Sequence, residues 1–336
     1  MREIIERIEQ KRNLSHGQMH AVMTEIMSGR ASDVDIKDFL LGLNAKGFTV
    51  EEITAGAEIM RKFVIPVKTD LTKVFDIVGT GGDVKHSFNI STAAAFVVAA
   101  AGVPVAKHGN RSVSSLCGSA DVLEALGVNI NTPHELLDEC LKEVGIVFLF
   151  AQHHHPAMKH VAAVRKELGV KTIFNILGPL TNPAFATHQM MGVYSRHLTE
   201  QMVHVLKNLG AKRVIAVHSH DGFDEISSAD KTLICDLQDS GVLTYEITPE
   251  DFGIKRCLES DLKGGDRDEN AHILRAILEG EKGSKRDIVL LNAGFGLYVA
   301  EAVASPKEGL RLAGELIDSG RALKKLEQLK EFTHRG

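Results

Sequence analysis

The sequence predicts an α/β protein built from a small helical domain and a large domain, in which helices flank a central, mostly parallel sheet. The first seventy residues show only the apolar spacing that is typical of helices. From Val74 onward, short apolar runs alternate with helical patterns, which is the βαβ rhythm of a parallel sheet covered on both faces. With 336 residues, the chain is long enough for one large domain and a smaller companion.

The helical start carries two capping signatures. Residues 15–18 and 49–52 both have capping-box form, and Pro66 ends the helical region. The first signature precedes a stripe of methionines at helical spacing, which predicts a helix core or a dimer face: Met19, Met23 and Met27.

Short apolar runs predict the strands of the large domain. They occupy residues 74–78, 103–106, 146–150, 213–217, 243–247 and 288–291. The interval between the third and fourth of these runs is longer than a simple crossover, which takes about a dozen or more residues. It holds two helix-like pieces, at 158–168 and 172–177, and then a Gly-Pro segment at 178–183.

This long interval suggests how the domains are divided. We expect residues from about 156–185 to leave the sheet and join the helical domain formed by residues 1–70. The large domain then comprises residues 71–155 and 186–336. A cleft follows between the two domains, and ligands usually bind at the carboxyl ends of parallel strands.

Composition excludes several classes of protein. The net charge is -5, with 44% hydrophobic and 25% charged residues, so a general affinity for nucleic acid is not expected. The apolar run at 93–101 is too short to span a bilayer, and the start of the chain lacks the apolar core of a signal peptide. The four cysteines lie far apart without a CxxC pair, which favours a reducing cytoplasm over a disulfide or zinc framework.

The first chemical motif is the glycine loop, residues 79–83, which follows a strand-like apolar run. Gly79, Gly81 and Gly82 let backbone N–H groups approach a phosphate closely. A helix with hydroxyl groups at its start follows at Ser91 and Thr92, and it adds free N–H donors and the positive end of a dipole. The combination indicates a phosphorylated ligand.

The second motif is the lysine loop, residues 107–115, which follows the next predicted strand. Lys107 and Arg111 supply positive charge, Gly109 permits close backbone approach, and two serines add hydroxyl donors. A solvated polar loop explains either motif alone about equally well. Two such loops on successive strands favour a site for several phosphate groups.

The third motif follows another predicted strand. Asp224 and Glu225 stand next to each other beyond a glycine turn, and paired carboxylates suit hard cations such as Mg²⁺. They could instead be ordinary surface acids. Their position at the carboxyl end of a strand, opposite two phosphate-type loops, favours the metal.

Together these motifs resemble the anthranilate phosphoribosyltransferase family, and the resemblance covers essentially the whole chain. The matching segments are residues 79–83, 89–92, 107–115, 154–165, 175–183 and 224–225. The resemblance implies a homodimer through the helical domain and the two-domain architecture of nucleoside phosphorylases and phosphoribosyltransferases. It also implies transfer of the phosphoribosyl group from phosphoribosyl pyrophosphate (PRPP) to the amine of anthranilate, a step of tryptophan biosynthesis, with two Mg²⁺ ions per subunit.

The resemblance also implies a role for individual residues. Those implied to bind PRPP are Gly79, Gly82, Asp83, Ser87, Asn89, Ile90, Ser91, Thr92, Lys107, His108, Gly109, Asn110, Arg111, Ser112, Val113, Ser114, Ser115 and Ser119. Those implied to contact anthranilate are Gly79, Asn110, Arg165 and Gly178, and those implied to hold Mg²⁺ are Ser91, Asp224 and Glu225. Lys107 and Arg111 would give electrostatic support to the departing pyrophosphate.

No residue is assigned as a general base, because an aniline nitrogen attacks without prior deprotonation. His108 could equally hold its loop, and Arg165 could equally be a surface arginine of its helix. The histidines at 153–155 are explained better by a turn from strand to helix than by a metal site, since Pro156 begins a helix.

The chain departs from the family pattern at two places. Leu116 and Cys117 stand where many relatives carry a lysine and a small residue, which weakens a direct pyrophosphate contact there. Phe295 stands where a small residue is expected, and we expect it to affect packing rather than chemistry.

Two rival functions remain open. A pyrimidine nucleoside phosphorylase has a similar two-domain plan, but the acidic pair and Arg165 favour the transferase. A non-catalytic, nucleic-acid-binding relative of the same fold would need a basic surface stripe, and the net charge of -5 counts against it.

Overall fold

The computed structural model describes residues 1–82, 85–112 and 116–335, and it confirms the predicted fold class. A single seven-stranded sheet has the order β3-β2-β1-β4-β5-β6-β7. The strands are Phe75–Gly79 (β1), Val105–Gly109 (β2), Ile146–Phe150 (β3), His188–Gly192 (β4), Arg213–Ser219 (β5), Thr232–Gln238 (β6) and Gly241–Ile247 (β7). The first five strands run parallel, whereas β6 and β7 are antiparallel additions at one edge.

Helices pack against both faces of this sheet. The first four are Arg2–Glu9 (α1), His16–Met27 (α2), Asp33–Lys46 (α3) and Val50–Phe63 (α4). The next five are Ile90–Ala100 (α5), Ser119–Ala125 (α6), Leu137–Glu143 (α7), Ala151–His154 (α8) and Lys159–Leu168 (α9). The remaining six are Ile173–Leu177 (α10), Arg196–Asn208 (α11), Arg267–Leu278 (α12), Ser284–Val299 (α13), Pro306–Asp318 (α14) and Arg321–Phe332 (α15).

The predicted capping signatures are confirmed at α2 and α4. Ser15 and Thr49 each accept a hydrogen bond from the third residue of the helix that follows, and the side chain of that residue bonds back. Glu52, which completes the capping box of α4, is a fully buried carboxylate with two further partners. It accepts hydrogen bonds from the Leu14 N–H at 2.8 Å and from Lys46 Nζ at 2.8 Å. One buried acid thus joins α2, α3 and α4 at their ends.

One predicted strand is wrong. Residues 288–291 lie inside α13, a sixteen-residue helix that is buried along most of its length. A helix that is apolar on every side shows no periodicity, so a short piece of it resembles a buried strand. Phe295, in the same helix, packs edge-on against Phe252 with ring centroids 5.4 Å apart.

Two strands, β4 and β6, were not predicted. β4 begins with His188 and Gln189, polar residues that do not suggest a buried strand. Their side chains have dedicated partners, since His188 Nε2 lies 3.2 Å from Glu301 and Gln189 Nε2 donates to the Pro179 carbonyl at 2.7 Å. The sequence pattern cannot show such partners, which come from distant parts of the chain.

Two apolar cores divide the molecule. One lies around α5, α13 and one face of the sheet. The other joins α1–α4 with α9, α10 and α11, and it includes Val161 and Ile173 from the long interval after β3. Met19, Met23 and Met27 are buried in this second core, which confirms the core alternative for the methionine stripe.

Within the described residues, no helix has the length and apolar character needed to cross a bilayer.

Candidate active site

The carboxyl ends of four neighbouring parallel strands meet at one edge of the sheet. β1 lies between β2 and β4, and β5 lies beyond β4. The loops that follow these strands therefore begin on the same side of the molecule. Because β1 pairs directly with β2, the glycine loop and the lysine loop begin at the ends of neighbouring strands, as predicted.

The glycine loop packs against Asp224. The Gly81 N–H donates a 2.7 Å hydrogen bond to Asp224 Oδ2. A Cβ on Gly79 would lie 2.5 Å from that oxygen, and a Cβ on Gly192 would lie 1.5 Å from the Asp224 carbonyl oxygen. Gly79 and Gly192 are register partners in β1 and β4. Two glycines side by side thus let the loop after β5 cross the strand ends closely.

A lysine from the helical part of the molecule also reaches the glycine loop. Lys171 lies between α9 and α10, and its Nζ donates to the Gly82 carbonyl at 2.6 Å. The same Nζ lies 4.0 Å from the centroid of the Tyr194 ring. The Lys171 carbonyl accepts a hydrogen bond from Asn44 on α3. This residue therefore links the helical bundle to the predicted phosphate loop.

Lys107 is a buried cation at this edge, with 3% of its surface exposed. Its Nζ donates to the Ile77 carbonyl at 2.7 Å and lies 3.4 Å from Ser91 Oγ. Both partners are neutral oxygens. Burial lowers the pKa of Lys107, and the negative charges of Asp76 and Glu225 oppose that shift. In the described chain, the direct contacts of Lys107 carry no negative charge. A phosphate that approached Lys107 would supply that negative charge.

Asp76 joins three pieces of chain beneath the loops. It is fully buried in β1, where Oδ1 accepts from the His108 N–H at 3.2 Å and Oδ2 accepts from Asn182 Nδ2 at 2.8 Å. Asn182 Nδ2 also donates to the Ala106 carbonyl at 2.8 Å. Burial raises the pKa of Asp76 to about 6, although nearby Lys107 and these hydrogen bonds favour the carboxylate.

Two buried histidines connect the lysine loop to the turn after β3. His108 Nε2 lies 3.2 Å from His155 Nε2. Burial is the main cause that lowers the pKa of both rings, to about 4 for His155. Two neutral rings at this distance share one hydrogen bond, with one Nε2 donating and the other accepting. His108 therefore has a partner that can hold the lysine loop in place. This contact agrees with a structural role for His108 rather than a catalytic one.

The start of α5 is not capped by a side chain. Asn89 is its N-cap residue, yet its side chain makes no capping hydrogen bond. Ser91 is half-buried, whereas Ile90 and Thr92 are buried. Thr92 Oγ1 finds no hydrogen-bond partner within the described part of the chain. An uncapped helix start offers its N–H groups and the positive end of its dipole to an anion.

Arg111 differs from Lys107, because its charge is already balanced. Its guanidinium makes salt bridges with Asp121 at 2.9 Å and with Glu124, both on α6. These hydrogen bonds raise the pKa of Arg111. Asn110 is exposed, and its carbonyl accepts from Ser119 Oγ at 3.3 Å, so the loop is anchored to the first residue of α6.

Arg165 is a half-buried cation on α9. Its guanidinium carbon lies 5.7 Å from the centroid of the Phe174 ring, and burial lowers its pKa. Among the residues that the structure describes, no carboxylate pairs with it. Gly178, further along the same part of the chain, is half-buried, and the space beside its Cα is open.

The acidic pair fits a magnesium ion that shares its ligands with a phosphate. Asp224 is buried and Glu225 is half-buried directly after β5. Over residues 1–82, 85–112 and 116–335, no group of three or more His, Cys, Asp or Glu side chains gathers as a metal site. Mg²⁺ uses few protein carboxylates and completes its shell with water and phosphate oxygens. Two carboxylates and the Ser91 hydroxyl are therefore a suitable donor set.

The remaining predicted site residues contact neighbouring backbone or side chains, or they lie outside the described ranges. Ser87 forms an isolated antiparallel bridge with Lys263, and the Ser112 N–H donates to Asp121 at 3.1 Å. Gly109 ends β2. The predicted residues outside the described ranges are Asp83, Val113, Ser114 and Ser115.

Sequence reasoning missed several residues that shape this edge. Asp76 carried a signal, since a lone carboxylate inside an apolar strand run needs buried partners. Asn182 lies within the Gly-Pro segment at 178–183, and Lys171 lies just before α10, but the sequence around neither residue indicates a distant partner. Asn270 follows a glycine pair, Gly264 and Gly265, which was a usable signal for a close backbone approach.

The two halves of the molecule match models of a transferase class. Residues 2–64 match the helical bundle domain of the glycosyl transferase family, and residues 71–323 match the a/b domain of that family. The helical bundle, the sheet and the loops at its carboxyl edge thus define a glycosyl transferase.

Similar proteins narrow the class. The chain is 52% identical to the anthranilate phosphoribosyltransferase of Methanobrevibacter smithii, over 99% of this chain and 99% of that protein. It is 49% identical to the enzyme of that name from Petrotoga mobilis, over 98% of this chain and 96% of that protein. The chain belongs to the anthranilate phosphoribosyltransferase family.

Solved structures agree with this relationship. The anthranilate phosphoribosyltransferase of Thermus thermophilus superposes with a TM-score of 0.93 at 44% identity, covering 98% of this chain and 99% of that one. The Saccharomyces cerevisiae enzyme in complex with PRPP and Mg superposes with a TM-score of 0.91 at 27% identity, covering 98% of this chain and 97% of that one.

The raised pKa of Asp76 predicts a pH dependence of stability. An aspartate has a pKa of about 4 when unfolded, and Asp76 has about 6 when folded. The folded protein therefore binds more protons between these values, so its free energy of unfolding falls as pH rises from about 4 to about 7, by about 3 kcal/mol from this residue. Asp76→Asn should lack this component, as measured by urea unfolding across that range.

The free energy of unfolding is plotted against pH for Asp76→Asn and for the unchanged protein. The difference between the two curves isolates Asp76, because the buried histidines titrate in both proteins. The exposed Asp268→Asn should keep the slope of the unchanged protein. Parallel curves for Asp76→Asn and the unchanged protein would show that the pKa of Asp76 is not raised.

Proposed function

We propose that this chain transfers the phosphoribosyl group of PRPP to the amine of anthranilate, as a step of tryptophan biosynthesis. The nitrogen lone pair forms the new bond to C1 while the C1–O bond breaks. Pyrophosphate leaves with the electron pair, and the nitrogen loses a proton to give N-(5-phosphoribosyl)anthranilate. The names of the relatives at 52% and 49% identity support this reaction.

One structural observation carries the proposal: among the described residues, two cations have no carboxylate in direct contact, one in each part of the molecule. At the carboxyl edge of the sheet, the hydrogen-bond partners of Lys107 Nζ in the described chain are neutral oxygens. Arg165 is half-buried on α9 without a paired carboxylate in the described chain. Lys171, six residues further on, contacts the glycine loop and brings that segment to the same edge. A pyrophosphate and an aromatic carboxylate would balance the two charges.

Residues at the edge of the sheet would hold PRPP and stabilise the departing group. The backbone N–H groups of the glycine loop and of the start of α5 would donate to phosphate oxygens. Lys107 would neutralise charge that grows on pyrophosphate as the C1–O bond breaks. Arg111 would contribute only if it exchanged Asp121 and Glu124 for the ligand, so we rank Lys107 first. An oxocarbenium-like centre needs correct positioning more than a strong nucleophile.

Ser91, Asp224 and Glu225 would hold magnesium, with two ions per subunit. The ion supplies charge neutralisation and orients the pyrophosphate. Asp224 Oδ2 accepts a hydrogen bond from Gly81 N, so the metal-binding acid and the phosphate loop are already in contact. The Saccharomyces cerevisiae structure with PRPP and Mg supports the choice of metal.

Arg165 would bind the carboxylate of anthranilate, since a guanidinium presents a fixed fork of donors. Asn110 and the backbone at Gly79 and Gly178 would line the same path. The open space beside the Cα of Gly178 is compatible with this role. The Saccharomyces cerevisiae enzyme in complex with 4-fluoroanthranilate, at 26% identity and a TM-score of 0.89, supports an aromatic acid as the acceptor.

We also propose the domain division, assembly and location. Residues 1–70 with 156–185 would form the small domain, and 71–155 with 186–336 the large one. Two exposed apolar residues seven positions apart on α3, Val34 and Leu41, support a homodimer through the helical domain. All four cysteines are thiols, which is compatible with the cytoplasm.

A single assay tests the reaction. The protein mixed with anthranilate, PRPP and Mg²⁺ should consume anthranilate fluorescence, and omission of any one component should stop the loss. Phosphorolysis of thymidine, without loss of anthranilate, would instead identify the nucleoside phosphorylase. Retention of duplex DNA at physiological salt, without either reaction, would identify the nucleic-acid-binding relative.

The role of Arg165 is tested by Arg165→Ala. Because hydrogen bonds to a charged group contribute about 1.5–3 kcal/mol, the KM for anthranilate should rise roughly 10- to 100-fold. The KM for PRPP should change less than about twofold, since Arg165 is not among its ligands. The neighbouring exposed Lys166→Ala should leave both values unchanged. Equal increases in both KM values would show that Arg165 does not act specifically on anthranilate.

A further inference from the structure

The segment that leads into α12, residues 263–270, packs along the entry to α5; we call it the strap. Lys263 pairs with Ser87 in an isolated antiparallel bridge, and the Gly264 N–H donates to the His86 carbonyl at 2.9 Å. The strap is therefore built against the residues that lead into the predicted phosphate helix.

The glycine pair of the strap explains its close fit. A Cβ on Gly264 would lie 2.7 Å from the Phe88 backbone nitrogen and 2.4 Å from Asn270 Oδ1. A Cβ on Gly265 would meet the side chain of Glu269. Gly264 therefore accepts no larger residue without movement of backbone, whereas at Gly265 the exposed Glu269 side chain would have to turn away.

Asn270 and Asn89 form a relay of hydrogen bonds across three segments. The Gly265 N–H donates to Asn270 Oδ1 at 2.8 Å, and Asn270 Nδ2 lies 3.3 Å from Asn89 Oδ1. Asn89 Nδ2 in turn donates to the Cys117 carbonyl at 3.2 Å. The relay runs from the strap, through the start of α5, to the chain just before α6. Asn270 is almost fully buried, with 2% of its surface exposed.

Backbone groups fix the direction of the relay at both ends. A backbone N–H can only donate, so Gly265 requires the oxygen of Asn270 on its side. A backbone carbonyl can only accept, so Cys117 requires the NH₂ group of Asn89. The two amides then face each other with one donor and one acceptor, and neither can be flipped without loss of a bond.

The relay has a consequence for α5. An asparagine at an N-cap ordinarily turns its oxygen onto the backbone N–H groups of the first turn. The oxygen of Asn89 accepts from Asn270 instead, and α5 has no side-chain cap. Within the described residues the Ile90 N–H donates to the Phe88 carbonyl at 2.8 Å, which leaves the N–H groups of Ser91 and Thr92 for a ligand. Thr92 Oγ1 in the same turn is buried without a hydrogen-bond partner in the described chain.

We propose that Asn270 is a positioning residue for PRPP, which keeps Asn89 from capping its own helix and so leaves the start of α5 open to phosphate. The inference rests on the proposed function, because it assumes that a phosphate of PRPP binds at this helix start. The same relay holds the chain before α6 at a fixed distance from α5. Asn270 need not touch the substrate.

Calorimetric titration of PRPP in the presence of Mg²⁺ tests the proposal without turnover. Asn270→Ala removes the bonds to the Gly265 N–H and to Asn89, together with the contact to the Cys117 thiol. Asn270→Asp keeps the acceptor for the Gly265 N–H but has no donor for Asn89. Both variants should weaken PRPP binding by about tenfold, the effect of one hydrogen bond at the upper end of its usual range. The Kd for anthranilate should stay within about twofold of the original.

A matched control separates positioning from loss of stability. Asn129 is another asparagine that bridges distant segments, with bonds to the Thr333 carbonyl at 3.1 Å and from the Asn131 N–H at 3.0 Å, far along the chain from the relay. Asn129→Ala should lower the thermal midpoint without changing the Kd for PRPP. Asn270→Asp should change that Kd even if its thermal midpoint is unchanged.

Two outcomes would overturn the proposal. Unchanged PRPP affinity in both Asn270 variants would show that Asn89 does not need its partner. An equal loss of affinity for PRPP and anthranilate would indicate a general disturbance of the cleft. The proposed function fails separately, if the unchanged protein binds PRPP but forms no product with anthranilate.

Discussion

The buried carboxylate of Asp76 is the constraint on which the rest of the site depends. It lies in the central strand of the parallel part of the sheet, and it accepts hydrogen bonds from the backbone of His108 in β2 and from the side chain of Asn182. Asn182 belongs to the chain that returns from the helical part of the molecule. One fully desolvated acid thereby fixes the glycine loop, the lysine loop and the helical segment relative to one another. Loss of either hydrogen-bond donor would leave a buried charge incompletely satisfied, which is strongly unfavourable.

The site above Asp76 combines positive groups that have few partners with acids that are already engaged. In the described chain, Lys107 donates to neutral oxygens and Arg165 has no paired carboxylate. The start of α5 lacks a side-chain cap because Asn89 bonds elsewhere. Asp224, by contrast, already accepts from Gly81. An anionic, phosphorylated substrate satisfies the first group, and magnesium lets the carboxylates lie beside its phosphates without repulsion. The net charge of -5 for the whole chain hides this local arrangement.

The sequence predicted those features of the fold that have short-range causes. Capping boxes at Ser15 and Thr49, and five of the predicted strands, follow from side-chain chemistry within a few residues. The strand predicted at 288–291 was wrong because an all-apolar helix has no period, and β4 was missed because its polar residues find partners far away in the chain. In the site, loops at strand ends could be predicted from glycine and charge. Contacts such as Asp76 with Asn182, or Asn89 with Asn270, join residues more than one hundred positions apart, and one sequence does not show which residues are the partners.

A crystal structure of this chain with PRPP and Mg²⁺ bound is the most direct test of where and how the substrate is held. The account predicts pyrophosphate oxygens within hydrogen-bond distance of the backbone N–H groups of the glycine loop, of the first turn of α5 and of Lys107 Nζ. Magnesium should lie on Asp224 or Glu225, while Asp76 keeps its bonds to His108 and Asn182. Pyrophosphate bound away from this edge of the sheet, with Lys107 still bonded only to Ile77 and Ser91, would contradict it.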